Sequence, residues 1–211
     1  MTQPKISDRQ PTGGAERRGS ASRREILDAA ARLFQKNGYG NTSLRELANE
    51  VGMKAGSLYY HFASKEQLAI EVLGAGVKGV AQTVSARLAE AGADASASQR
   101  VSIAIRAHLD AILNDSGYTS AHIRCFPYTP AAVQTQLRNV RRTYEDIWTG
   151  LIDDLLGPQR DEPDARYLRL AVLGALNWSL EWFDPARDSA EGFAEMVERM
   201  ILGATRSDEH H

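Results

Sequence analysis

The chain has 211 residues, 43% hydrophobic and 25% charged, with a net charge of −2, the profile of an ordinary soluble globular protein with room for one large core or two small domains. Its single cysteine, Cys125, excludes a disulfide framework and suits a reducing cytoplasm. No apolar run reaches the length of a membrane span, and the N-terminus has no apolar core of a signal peptide.

Residues 1–20, with Pro4, Pro11, Gly13, Gly14 and Gly19, read as a flexible tail. A serine followed three residues later by Glu or Gln marks a helix start, because each side chain satisfies a free backbone N–H. That signature occurs at Ser22/Glu25, Ser43/Glu46 and Ser64/Gln67. The first helix carries Ile26, Ala29, Ala30, Leu33 and Phe34 on one face and stops at Asn37-Gly38. A second, 43–50, buries Leu44, Leu47, Ala48 and Val51, and a third, 54–60, is anchored by Leu58 and Phe62. Between them Gly52 takes the positive φ of a tight turn. Two short helices joined this way form a helix-turn-helix, whose second helix enters a DNA major groove.

The outward side of that helix carries Lys54, Ala55, Ser57, Tyr59 and Tyr60. Ser57 suits a base edge or a phosphate, the tyrosine hydroxyls suit phosphates, and Ala55 suits a thymine methyl. Thr42 and Lys65 open helices two and four, where free N–H groups and the helix dipole favour a phosphate. Residues 1–66 hold 11 Lys/Arg against 7 Asp/Glu, and residues 67–211 hold 14 against 20, a basic head on an acidic body. Arg17, Arg18, Arg23 and Arg24 form an arm that either reaches a minor groove or stays solvated.

The run 23–68, with ILDAAARLFQKNGYGNTSLRELANEVGMKAGSLYYHFASKEQL at its heart, resembles the DNA-binding head of the TetR family of bacterial transcriptional regulators. LYYHF followed by SKEQL is its most specific part. The resemblance implies an all-α homodimer: a head at 21–66 and a helical ligand-binding and dimerisation domain at 67–206. It maps the family's DNA contacts to Thr42, Lys54, Ala55, Ser57, Tyr59, Tyr60, His61 and Lys65.

Beyond the head the pattern stays helical. Leu68, Val72, Val77, Val80, Val84 and Leu88 run along a fourth helix ending at Ala91-Gly92, and Val101, Ile105, Leu109 and Ile112 mark a fifth. Residues 118–128 read as a short irregular segment. Val133, Leu137, Val140, Tyr144, Ile147, Leu151 and Leu155 form the seam of a long helix stopped at Gly157-Pro158. Residues 165–183 are apolar nearly all round, and a last helix, opened by Asp188/Glu191, carries Phe193, Met196, Val197, Met200, Ile201 and Ala204. These two helices are expected to form a four-helix bundle across a two-fold axis, through Leu173, Leu176, Leu180, Phe193, Val197, Met200 and Ile201.

The resemblance also implies an effector pocket between the fifth, seventh and eighth helices. Polar-tipped residues on buried faces supply its candidates: His108, Tyr144, Trp148, Asn177 and Trp178, with Cys125 and Phe126 from the irregular segment. Such a mixture suits a mostly apolar organic molecule. NWSLEWFDP, at 177–185, resembles a tryptophan-rich stretch of family members that respond to acyl-CoA-type ligands. Some of those carry an arginine just before the second tryptophan, where this chain has Glu181. Five histidines without ligand spacing imply no metal. Gly74, Gly76 and Gly79 make no phosphate loop, and Glu145-Asp146 and Asp153-Asp154 read as a solvated face. The sequence thus points away from an enzyme or a cofactor. It points to a cytoplasmic repressor that binds a palindromic operator as a homodimer and is released by a small-molecule effector. An activator or ligand-independent relative with the same head, or an interaction protein that has lost DNA affinity, remain the alternatives.

Overall fold

Ser22 opens the chain's first helix with a reciprocal cap, its Oγ accepting from the Glu25 amide while the Glu25 carboxylate accepts the Ser22 amide at 2.6 Å. In the computed structural model, which describes residues 22–114, 117–158 and 162–206, the described residues form helices and their connections without a strand. In chain order these are α1 (Arg23–Asn41), α2 (Leu44–Glu50), α3 (Ala55–His61), α4 (Lys65–Glu90), α5 (Ala97–Leu113), α6 (Tyr118–Cys125), α7 (Ala131–Leu156), α8 (Glu162–Trp182) and α9 (Ala190–Arg206). The expected tail at 1–20, with Arg17 and Arg18, lies outside the described residues.

The cap positions expected for α2 and α4 hold, although their partners differ. Ser43 and Ser64 each accept from the amide three residues on. The Glu46 carboxylate, however, accepts from Asn37 Nδ2 of α1 at 2.9 Å, and Gln67 reaches the Ala63 amide. Gly38 ends the regular run of α1 as expected, with a non-helical φ of 77°, and a last short turn carries the element on to Asn41. Gly52 has the left-handed φ of 67° that the turn between α2 and α3 requires. At the other end of the chain the cap of α9 is Ser189, whose Oγ accepts from the Gly192 amide at 3.1 Å. Asp188 instead accepts from the amide of Asp184.

The segment 118–128 departs from its reading as irregular. It forms α6, followed by one 3-10 turn at Phe126–Tyr128. Eight residues carry too little periodicity to be separated from a loop, and packing supplies what the pattern lacks. One side of α6 lies on α4, where Gly76 admits the Tyr118 backbone. The other side lies on α1, where the Tyr118 hydroxyl donates to Asp28 at 2.7 Å and Cys125 Sγ to the Phe34 carbonyl at 3.2 Å.

Two apolar cores result. The first joins Phe34, Leu47, Leu58 and Phe62 of the head to Leu68, Val72 and Leu73 of α4, Cys125 of α6 and Leu137 of α7. The second fills the body between the rest of α4 and α5, α7, α8 and α9, around Ile105, Leu109, Trp148, Leu176 and Val197.

Candidate nucleic-acid interface and effector cavity

Local packing determines which side of α3 is left over. Leu58 and Phe62 are fully buried against α1 and α2, so the helix must turn its opposite side to solvent. Lys54 and Ala55 are exposed there, Ser57 and His61 are half-buried, and Tyr59 and Tyr60 are 56% and 94% exposed. A tyrosine almost wholly in water has no packing role, and its hydroxyl remains available to a partner. Lys65 begins α4 and reaches back to the end of α1. Its ammonium lies 4.2 Å from the centre of the Tyr39 ring and 3.4 Å from the Gly40 carbonyl. Burial lowers its pKa from the ordinary lysine value, and Glu66 opposes that shift. Arg23 is committed elsewhere: it forms a two-point ion pair with Glu71 and lies over the Phe62 ring.

Thr42 is a correction. It is buried, and its hydroxyl donates to the carbonyls of Leu33 and Gly38 at 3.3 and 3.0 Å. The residue that caps α2 is Ser43, so the Thr42 side chain fastens the end of α1 and has no donor left for a phosphate.

In the body, three of the expected pocket residues meet although they are scattered along the chain. His108 of α5 has Nδ1 2.5 Å from the Tyr144 hydroxyl of α7 and Nε2 3.1 Å from Asn177 Oδ1 of α8. Trp148 packs edge-on against the His108 ring, 6.0 Å between centres, behind this group. His108, Tyr144 and Asn177 border a partly open cavity of about 90 Å³ with Val77 and Val80 of α4, Ile123 and His122 of α6, and Leu173 of α8. Desolvation lowers His108 to about 4 and His122 to about 3, so both imidazoles are uncharged at neutral pH.

Sequence reasoning missed His122, because a histidine in a segment read as irregular carries no face assignment. It also placed Glu145 on a solvated face, whereas Glu145 is half-buried at the cavity and paired with Arg141 at 3.2 Å. Three other candidates lie elsewhere. Cys125 belongs to the first core, against the head. Phe126 stacks on His122 and carries the Arg141 guanidinium 4.0 Å from its centre. Trp178 is 67% exposed, because one step of about 100° from Asn177 carries it off the inner face.

A larger groove of about 940 Å³ runs along α5, α8 and α9 over Ile103, Ala107 and Leu180. It is open to solvent and its charges are satisfied internally: Arg106 pairs with Glu191 and Glu198 at 2.8 and 3.0 Å, and Arg87 with Glu90 at 3.1 Å. The smaller cavity is where uncharged polar groups of several helices converge, as they do in a recognition site. Among the described residues no three His, Cys, Asp or Glu gather as metal ligands, and no helix is long and apolar enough to cross a membrane.

The last two helices divide their apolar residues differently from expectation. Leu176, Val197 and Ile201 are buried in the protomer's own core, and Leu173 lines the cavity. Leu180 and Phe193 are half-buried, Phe193 packing edge-on against Trp182 at 4.9 Å. Of the residues expected at a dimer interface only Met200, 67% exposed, faces outward. The outward apolar residues are Tyr167, Leu170, Trp178 and Trp182 of α8, with Met196 of α9 beside Met200.

A helix-turn-helix head with an uncovered second helix, set on an all-helical body, defines a class of DNA-binding regulator. The sequence matches two family profiles: "Bacterial regulatory proteins, tetR family" over residues 26–72 and "Tetracyclin repressor-like, C-terminal domain" over residues 94–205. The chain therefore belongs to the TetR family, whose characterised relatives are named as transcriptional regulators and repressors rather than enzymes.

It is 57% identical over 53 residues to the HTH-type transcriptional regulator LmrA of Bacillus subtilis (strain 168), a match covering 25% of this chain and 28% of that protein. It is 42% identical over 73 residues to the HTH-type transcriptional repressor KstR2 of Rhodococcus jostii (strain RHA1), covering 35% of this chain and 32% of the relative. The chain thus matches about a third or less of the length of these curated relatives. The solved structure of AibR in complex with isovaleryl coenzyme A and operator DNA superposes with a TM-score of 0.74 at 22% identity, over 84% of this chain and 96% of that one. At that identity the likeness is one of fold.

Proposed function

We propose that this protein is a transcriptional repressor that binds a palindromic DNA site as a homodimer and releases it when a small, mostly apolar organic molecule enters the body. The DNA-contact assignment rests on the uncovered face of α3. Lys54, Ala55 and Ser57 at its start are the base-reading candidates, while Tyr59, Tyr60, His61 and Lys65 are the backbone-positioning ones. The homodimer rests on the outward stripe of α8 and α9. Leu170, Trp178, Trp182, Met196 and Met200 are all exposed on these two helices, and gathered large apolar side chains mark an interaction surface. A two-fold axis through it presents two heads to two half-sites.

The observation that carries the switch is the double attachment of α6. Its Thr119, His122 and Ile123 line the cavity, while its Tyr118 and Cys125 hold α1 of the head. A molecule that enlarges the cavity moves α6, and with it α1 and the spacing of the two heads. Only about 1–3 kcal/mol of coupling is needed, and DNA must then weaken effector binding by the same factor. AibR, with an acyl-CoA and operator DNA in one structure, supports the view that one such fold carries both partners.

The test is selection of binding sites by the full chain from random duplex DNA, followed by affinity measurements across salt concentrations. A two-fold symmetric site is expected. Tyr59→Ala and Lys65→Ala should weaken binding to every sequence, and Lys65→Ala, which removes a cation, should also lower the salt slope by about 1. Lys54→Ala and Ser57→Ala should change base preference. A folded protein that enriches no sequence and shows no salt-dependent binding overturns the assignment.

A further inference from the structure

We propose that the cavity bordered by His122, Asn177 and Glu145 selects an uncharged effector whose polar end both donates and accepts a hydrogen bond, such as a carboxamide, lactam or alcohol, and rejects the carboxylate of the same shape. This deepens the effector reading above and rests on it.

The charge inventory comes first. The charged side chains bordering the cavity are Arg141 and Glu145, and they are paired with each other at 3.2 Å, with the guanidinium also lying over the Phe126 ring. No cation in the lining is left uncommitted, since burial keeps His108 and His122 neutral at physiological pH. A carboxylate entering here leaves water and meets no unpaired positive charge, while Glu145 repels it.

The hydrogen-bond inventory gives the complementary requirement. His108 is saturated, with one ring nitrogen on Tyr144 and the other on Asn177. It therefore positions Asn177 rather than facing a ligand. Asn177 commits one amide atom to His108, and its other amide atom is left for an occupant, a donor or an acceptor according to which way the amide is turned. Nδ1 of His122 is shielded from solvent and has no hydrogen-bond partner. The ring also hydrogen-bonds the Leu73 backbone, and a neutral imidazole nitrogen donates or accepts according to its tautomer. A ligand group that can do both satisfies these two side chains in any of those states, whereas a carboxylate only accepts. Val77, Val80, Ile123 and Leu173 then surround the apolar remainder, and a volume of about 90 Å³ restricts what enters to a small group.

The experiment uses the full chain with isosteric probe pairs: isobutyramide against isobutyrate, benzamide against benzoate, and cyclohexylmethanol against cyclohexanecarboxylate. Thermal shift and calorimetry at neutral pH are expected to show binding of the neutral members and about tenfold or weaker binding of the carboxylates. His122→Leu should weaken the amides by a similar factor. Glu145→Gln, at a half-exposed position that tolerates the change, should free Arg141 and shift the preference toward the carboxylates. Carboxylates that bind as well as their neutral partners, a Glu145→Gln protein with an unchanged ratio, or no response to any neutral probe up to its solubility each overturn the proposal. DNA affinity without ligand is measured on the same preparations, so that a failure of the regulator reading shows there and a failure of the selectivity shows only in the probe ratios.

Discussion

Gly76 offers a test in which two physical effects have opposite signs. It lies inside α4, and on helix propensity alone an alanine there would stabilise the helix by about 1 kcal/mol. The structure reverses that expectation. A Cβ at Gly76 would lie 2.7 Å from the carbonyl carbon of Tyr118, closer still to its oxygen, and 3.0 Å from Thr119 Cα. These are backbone atoms, with no rotamer by which to escape. Overpacking costs about 1–3 kcal/mol, and a backbone obstruction belongs at the upper end. Subtracting the propensity gain leaves a loss of about 2 kcal/mol, a Tm lower by about 4–8 °C for a chain of this size. Gly79, one turn further along the same helix, has no atom within 4 Å of an added Cβ. Gly79→Ala should therefore raise Tm by about 2–4 °C. Both belong in the same calorimetric series at one fixed protein concentration, because the proposed dimer would make Tm concentration-dependent. Gly76→Ala should also weaken operator binding, since α6 holds α1 through Tyr118 and Asp28. A Tm for Gly76→Ala equal to or above that of Gly79→Ala would refute the close-approach argument.

Trp178→Glu and Met200→Glu should convert the dimer to monomers with little change in the fold of each protomer, because both side chains face outward; an unchanged sedimentation coefficient for the pair would move the interface elsewhere. Stability should also fall with acidification. His108 and His122 are held by burial at about 4 and about 3, while in the unfolded chain they titrate near about 6.5. The unfolded state therefore takes up protons first, so this contribution is complete above about pH 6.5 and is lost as the pH falls toward about 4. Tm across that range should decline, and His108→Gln should flatten the decline; an identical slope in the variant would count against a buried neutral His108.

Some of this protein is written in short windows of its sequence. Ser22, Ser43 and Ser64 start their helices because a cap needs only an amide two or three residues away. Gly52 turns the chain because only its own φ is at stake. Leu58 and Phe62 orient α3 because a seven-residue helix has one apolar side, and its outward residues follow by subtraction. Other features required the neighbours to be in place. Nothing near Thr42 announces that its hydroxyl is occupied by α1 carbonyls, since that depends on the kink at Gly38. Residues 118–128 carry no helical signal strong enough to stand alone, and α6 exists because α1 and α4 hold it from two sides. On α8 every face is apolar in sequence, so only packing decides that Leu176 goes inward while Trp178 goes outward. His108, Tyr144 and Asn177 are legible singly as polar residues on apolar faces. Their meeting, and the arrival of His122 and Glu145 beside them, is a property of four helices folded together. Helix starts and turns depend on chemistry within one turn of the chain, whereas a buried polar site depends on long-range packing that no local window contains.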